Sequence, residues 1–211
     1  MWKKVAIAAA AVCLIVAAIT YYELFAWSSG YFAASRGADE NGLPWIGAKE
    51  PELVIHEYVD YECPHCLLAH QYLRRALLFH QGSVRLVRHD YARMPCHAGV
   101  PGMPSRSCEL VRGGSCAAEQ GEFWKWSDAV MSDPRPLTNP GRDVYTLAKA
   151  RAIGLDAKAF EACLTAPGTI ERAQAIYTEA RGRHITETPA YVVDGKKLDV
   201  RGLLALLDER L

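Results

Sequence analysis

The chain has 211 residues, half of them hydrophobic, which suits one cored domain with attachments. Its 24 basic residues are balanced by 24 acidic ones, so the formal net charge is zero. That balance offers no basic excess for nucleic acid and no acidic tail for an electrostatic partner.

The N-terminus differs from the rest. Lys3 and Lys4 precede an apolar run from Val5 to Ile19, and Tyr21, Tyr22, Phe25 and Trp27 follow as an aromatic edge broken by Glu23. A short positive start before an apolar stretch is an export signal. No clean small-x-small cleavage site precedes a polar mature start, so a retained membrane anchor over residues 1–27 is expected, with a cleaved signal peptide as the alternative. About 20 residues at helical rise cross the hydrocarbon core. The positive-inside rule keeps Lys3 and Lys4 in the cytoplasm and sends the bulk of the chain outside. Cys13, inside the run, reads as a small apolar filler.

Residues 28–52 are polar and punctuated by Gly and Pro, a linker that becomes the domain edge near Pro44 to Gly47. Leu53 to Val59 is a run of strand formers. The motif Cys63-Pro64-His65-Cys66 follows at once, and Leu67 to His80 then carries apolar residues at helical spacing, stopped by Gly82. Val84 to Arg88 is a second strand. Strand, helix, strand makes a βαβ unit with parallel strands. Met94 to Ser115, rich in Pro and Gly, is expected to be irregular loop. Helical patterns return over Cys116 to Met131, Asp143 to Ile153, the segment capped by Asp156, and Pro167 to Arg181. Tyr191 to Val193 and Lys197 to Val200 read as a hairpin around Asp194-Gly195, and Gly202 to Leu211 as a closing helix.

Seven cysteines are present, six of them beyond the apolar run: Cys63, Cys66, Cys96, Cys108, Cys116 and Cys163. Export implies an oxidising compartment in which disulfides persist. Six cysteines allow fifteen pairings, and spacing does not choose among them. The dispersed residues His56, His70, His80, His89 and His184 read as surface or core polar groups.

A C-x-x-C at a strand-to-helix junction has a definite chemistry. Cys63 would sit at a helix N-terminus, where unpaired N–H groups and the helix dipole favour an anion. The thiolate is the attacking species, so a lowered pKa raises its population. His65 can add positive charge or a hydrogen bond, and Cys66, one turn on, can close a disulfide on Cys63 and release a bound partner. Stabilising the reduced thiolate makes the disulfide more oxidising. Two other uses of the motif stay open: a structural disulfide, and a metal site with Cys63, His65 and Cys66 as ligands or with Cys96-His97 and Cys108 or Cys116 nearby.

Cys63-Pro64-His65-Cys66 after a strand, a helical insertion starting near Cys116 to Trp124, and Thr188-Pro189 before a hairpin together resemble the DsbA-like thioredoxin-fold proteins. The resemblance runs from about Pro44 to Leu211. It implies an α/β thioredoxin fold with a helical insertion at about 94–182 inside a domain of residues 53–211, preceded by the membrane anchor helix. It also implies that Cys63 is the nucleophile, followed by Pro64 and His65, with Cys66 resolving. Thr188-Pro189 becomes a cis-proline loop that faces Cys63 and pairs with extended substrate. Glu57, six residues before Cys63, becomes a buried acid that relays protons to Cys66, with a raised pKa suited to the role. Asp60 and Glu62 approach the motif too, and their like charge would oppose the thiolate. By the same resemblance Cys116 pairs with Cys163 as a structural disulfide, and Cys96 with Cys108 would then close the Pro/Gly loop.

The activity implied is a protein thiol–disulfide oxidoreductase without cofactor or metal, held on the inner membrane by a single span with its catalytic domain on the periplasmic side. Its partners would be exported cysteine-containing proteins and a membrane protein that recycles the active site. A reductase or isomerase on the same scaffold is the alternative direction.

Overall fold

The computed structural model describes residues 11–21, 34–80, 82–92, 96, 106–133 and 142–210. Residues 11–21 are helical and exposed (α1), and Cys13 within them is an exposed thiol. Among the described residues no helix is long and apolar enough to cross a membrane. Most of the anchor expected over 1–27 lies outside the described residues.

The core of the fold is a six-stranded sheet of order β1-β2-β4-β3-β5-β6. Its strands are β1 (Arg36–Ala38), β2 (Pro44–Gly47), β3 (Leu53–Val59), β4 (Val84–Asp90), β5 (Ala190–Val193) and β6 (Lys196–Leu198). The central pair β3 and β4 is parallel, joined through α2 (Pro64–Phe79), and every other pairing is antiparallel. The stretch expected as a linker up to residue 52 therefore contributes two strands. Pairing gives the reason: Trp45 lies opposite Val87 and Ile46 opposite Leu86, so a four-residue segment too short to read as a strand alone is fixed by its register on β4.

Alternation along the strands divides the apolar residues between two faces. Ile55, Leu86, Tyr191 and Val193 pack with Leu73 and Leu77 of α2, Trp124, and Leu203 and Leu207 of the C-terminal helix α8 (Val200–Arg210). Tyr58, Ala190 and Val192 on the opposite face meet Ala180 and Ile185. Among the described residues between β4 and β5 lie the helices α3 (Arg106–Glu119), α4 (Phe123–Met131), α5 (Arg142–Ala152), α6 (Ala157–Thr165) and α7 (Pro167–Gly182). Asp156 caps α6 by accepting from the N–H groups of Lys158 and Ala159, at 2.9 and 3.0 Å. Asp194 and Gly195 both have positive φ, 49° and 75°, in the two-residue turn of the β5–β6 hairpin.

Residues 106–115, expected in a loop, are the first turns of α3. Two adjacent glycines disfavour a helix by about 1 kcal/mol each. Packing reverses that preference: a Cβ on Gly113 would collide with the Trp126 ring, and one on Gly114 would lie 2.6 Å from Asp90 Oδ2. The glycines let α3 approach α4 and the end of β4, while Leu110 and Val111 are completely buried.

Candidate redox site

Cys63 is the N-cap residue of α2, with extended backbone (φ −90°, ψ 116°), and Pro64 opens the first turn. Proline is suited to that position because its missing N–H would have no helical partner. The Cys63 carbonyl accepts from the N–H of Cys66 at 3.0 Å and of Leu67 at 3.2 Å, and the Cys63 N–H donates to Asp60 O at 3.0 Å. Cys63 and Cys66 are both buried thiols, whereas Pro64 and His65 are exposed.

The Thr188-Pro189 peptide bond is cis, and Thr188 O lies 3.2 Å from Cys63 Sγ. The loop between α7 and β5 thus reaches the start of α2 from the far end of the chain. Beside it runs a groove of about 500 Å3, lined by His65, Glu187, Thr188, Pro189, Lys197 and Arg201 among others.

The two thiols have opposite acidities. Cys63 is lowered from 9 to about 5, first by a hydrogen bond with Cys66, against the opposing effect of burial, then by Thr188 and the backbone N–H groups of Cys66 and His65. Burial and the hydrogen bond to Cys63 push the Cys66 thiol far above its ordinary value. One sulfur is thus a thiolate at neutral pH and the other holds its proton. The help that His65 gives the sulfur comes through its backbone N–H, and the residue itself lines the groove.

Asp60 and Glu62 are engaged elsewhere. Glu62 Oε2 accepts from the Ser107 N–H at 2.9 Å, and Asp60 Oδ1 accepts from Ser107 Oγ at 2.8 Å. Both carboxylates are turned onto the first turn of α3, where a helix N-terminus favours negative charge.

Glu57 is 1% exposed and pairs with the fully buried Arg88, Nε to Oε2 at 2.9 Å. Register explains the pair: Glu57 lies opposite Arg88 on β4 and opposite Tyr191 on β5. Burial raises the proton affinity of Glu57, and Arg88 and then Arg74 oppose the rise. Arg88 was legible by parity, since it shares the face of Val84 and Leu86. His70, which joins the same buried cluster, and the half-buried Asp128 that it meets carry no motif and no sequence signal beyond the four-residue spacing of His70 from Cys66.

Cys96 is bonded to Cys108 (Cα–Cα 5.6 Å) and Cys116 to Cys163 (Cα–Cα 5.7 Å). The first joins the segment after β4 to the first turn of α3, and the second ties α3 to α6. Among the described residues no group of three or more His, Cys, Asp or Glu is placed to hold a metal ion.

The family model described as Thioredoxin matches residues 39–209, so the chain belongs to that family. Family and architecture together define the class, a thioredoxin-fold protein with inserted helices and a Cys-x-x-Cys motif at the start of α2. Among solved structures, a thioredoxin-like oxidoreductase from Silicibacter pomeroyi is similar with a TM-score of 0.65 at 22% identity, over 81% of this chain and 92% of that one. The thiol-disulfide oxidoreductase MdbA from Corynebacterium diphtheriae gives 0.63 at 14% identity, over 85% and 97%. A Na(+)/H(+) antiporter NhaA of Herminiimonas arsenicoxydans is 26% identical over 92% of this chain, which spans 32% of that relative's length.

Proposed function

We propose that the protein works outside the cytoplasm and oxidises cysteines of exported proteins through a mixed disulfide at Cys63. The observation that carries this reading is the Cys63 thiol held at about 5 against the Thr188-Pro189 loop. A strongly stabilised thiolate favours the reduced enzyme, so its disulfide is readily given away.

A substrate thiolate attacks Cys63 of the Cys63–Cys66 disulfide, and Cys66 leaves with its electron pair. A second substrate thiolate then attacks the sulfur bound to Cys63, which departs as thiolate, and the substrate leaves oxidised. In the reverse sense Cys66 resolves a mixed disulfide. Glu57, buried on the sheet face that α2 covers, exchanges the Cys66 proton. Thr188 and Pro189 pair with an extended substrate segment, and Pro64 and His65 form the exposed rim it crosses. Cys116–Cys163 and Cys96–Cys108 are structural.

The apolar N-terminus anchors the chain in the inner membrane by one span, and a membrane redox protein reoxidises the site. The similarity to a region of a named membrane antiporter is in keeping with work at a membrane surface.

The test is the redox equilibrium of the full chain with glutathione, with Cys63→Ala as control. A disulfide reduced more easily than glutathione, and absent from the control, supports the oxidase. A strongly reducing potential replaces it with a reductase. No exchange dependent on Cys63 rejects both.

A further inference from the structure

On the inner side of Cys66 lies a chain of buried polar contacts that the exchange steps above leave unused. His70 follows Cys66 by four residues, so the two lie on one face of α2, and both are buried. His70 Nδ1 stands 3.1 Å from Arg88 NH2, and its Nε2 stands 2.8 Å from Asp128 Oδ1 on α4. A guanidinium can only donate, so Nδ1 accepts, and the ring's proton sits on Nε2, donated to Asp128. Arg74 grips the same carboxylate, Nε to Oδ1 and NH2 to Oδ2 both at 3.2 Å.

Arg88 is held on three sides. Its Nε meets Glu57, NH1 lies 3.7 Å from Asp90, and NH2 meets His70. Its guanidinium carbon sits 5.5 Å from the centre of the Trp124 ring. Of these neighbours, His70 is the acceptor contributed by α2, the helix that Cys63 caps and that holds Cys66.

We propose that Asp128 and His70 are positioning residues for the exchange reaction, holding Arg88 against Glu57 so that Glu57 is set to take and return the Cys66 proton. The proposal rests on the exchange reading above. In the step concerned, Cys66 gives its proton to Glu57. Its sulfur bonds to Cys63, the bond from Cys63 to the partner breaks, and the partner leaves as thiolate. Asp128 fixes the His70 tautomer, His70 fixes Arg88, and Arg88 offsets the burial of the Glu57 charge. Burial and both arginines keep the His70 ring neutral, so it acts as an acceptor for Arg88 and carries no charge of its own.

Other titrating groups face this cluster. Tyr61 donates to Asp90 Oδ2 at 2.7 Å, and burial raises Asp90 to about 7. Burial raises Asp128 to about 8. Tyr191, opposite Glu57, is pushed far up by burial. The pH profile must therefore be followed in the step that Cys66 itself performs. The probe is a mixed disulfide between Cys63 and 2-nitro-5-thiobenzoate, whose coloured release reports Cys66 attack.

For His70→Phe the expected release rate at pH 7 falls about tenfold, short of the loss from removing a proton-transfer group outright. The midpoint of its pH profile moves upward, because a Glu57 less well paired holds its proton more tightly. His70→Asn, which keeps an acceptor near Nδ1, restores most of the rate and the midpoint. The Cys63 thiolate, followed by its ultraviolet absorbance, titrates as in the parent. If His70→Phe does not fold, Asp128→Leu, which removes the acceptor for Nε2–H, is read in the same way. An unmoved midpoint in the folded variant, with stability alone reduced, overturns the proposal. A parent chain without Cys63-dependent release fails the exchange reading itself, and is thereby distinguished.

Discussion

The apolar cluster that surrounds the redox motif contains three cysteine pairs: Cys63 with Cys66, Cys96 with Cys108, and Cys116 with Cys163 at its margin. Burial does not separate them, since Cys63 and Cys116 are 4% and 1% exposed. Position on a helix does. Cys63 precedes the first turn of α2, where N–H groups point at its sulfur, and it faces a loop that a partner can reach. Cys116 and Cys163 lie in the last turns of α3 and α6, where backbone N–H groups are already spent on helical bonds. Between Cys63–Cys66 and Cys116–Cys163, then, the supply of unspent donors differs, while hydrophobic surroundings serve both pairs.

The sharpest way to break that comparison is Cys66→Ala. With the thiol proposed to resolve gone, exchange with a dithiol substrate should fall by more than about 100-fold, and covalent adducts on Cys63 should accumulate on non-reducing gels. Turnover at the parent rate would mean that another cysteine resolves, and that the pairs are not distinct in role. Replacing Cys116 and Cys163 together by alanine should cost about 2–4 kcal/mol in denaturant unfolding, with Cys63 exchange nearly unchanged. A large loss of exchange in a folded double variant would give this pair a part in the chemistry.

The acidity of Cys63 makes a finer prediction. Its value is depressed in the folded, reduced chain, so it stabilises that form fully above the unfolded thiol value near 9 and loses the contribution as pH falls toward 5. The melting temperature of the reduced protein, taken relative to the oxidised one, should therefore rise between pH 5 and pH 8. A difference that stays flat would show no stabilised thiolate. The smallest effect concerns the insertion alone: Asp156→Ala removes the cap of α6 and should cost about 1 kcal/mol without changing exchange.

The redox motif, the βαβ unit, the hairpin turn and the cap at Asp156 were legible because each depends on neighbours in sequence. The start of α3 was not. Gly113 and Gly114 weaken a helix locally, and only their contact with Trp126 and Asp90 makes them the right residues there. The strands β1 and β2 were missed because three or four residues carry too short a period. Glu57 and Arg88 were legible by face, yet their meeting needed the register of β3 on β4. His70 and Asp128 are 58 residues apart, and nothing short of the packing of α4 on α2 brings them together.

The sheet ends on both sides in a three-residue strand. Arg36 to Ala38 is exposed throughout, and Lys196 and Lys197 are exposed on β6. Open edges are templates on which extended chains add themselves, and brevity and charge discourage the addition. In the proposed role the protein would meet unfolded chains, and a long apolar edge would slowly foul it. In that role such a chain would find poor footing along either border of the sheet, so a visitor that had exchanged its sulfur would have little along these edges to keep it from leaving.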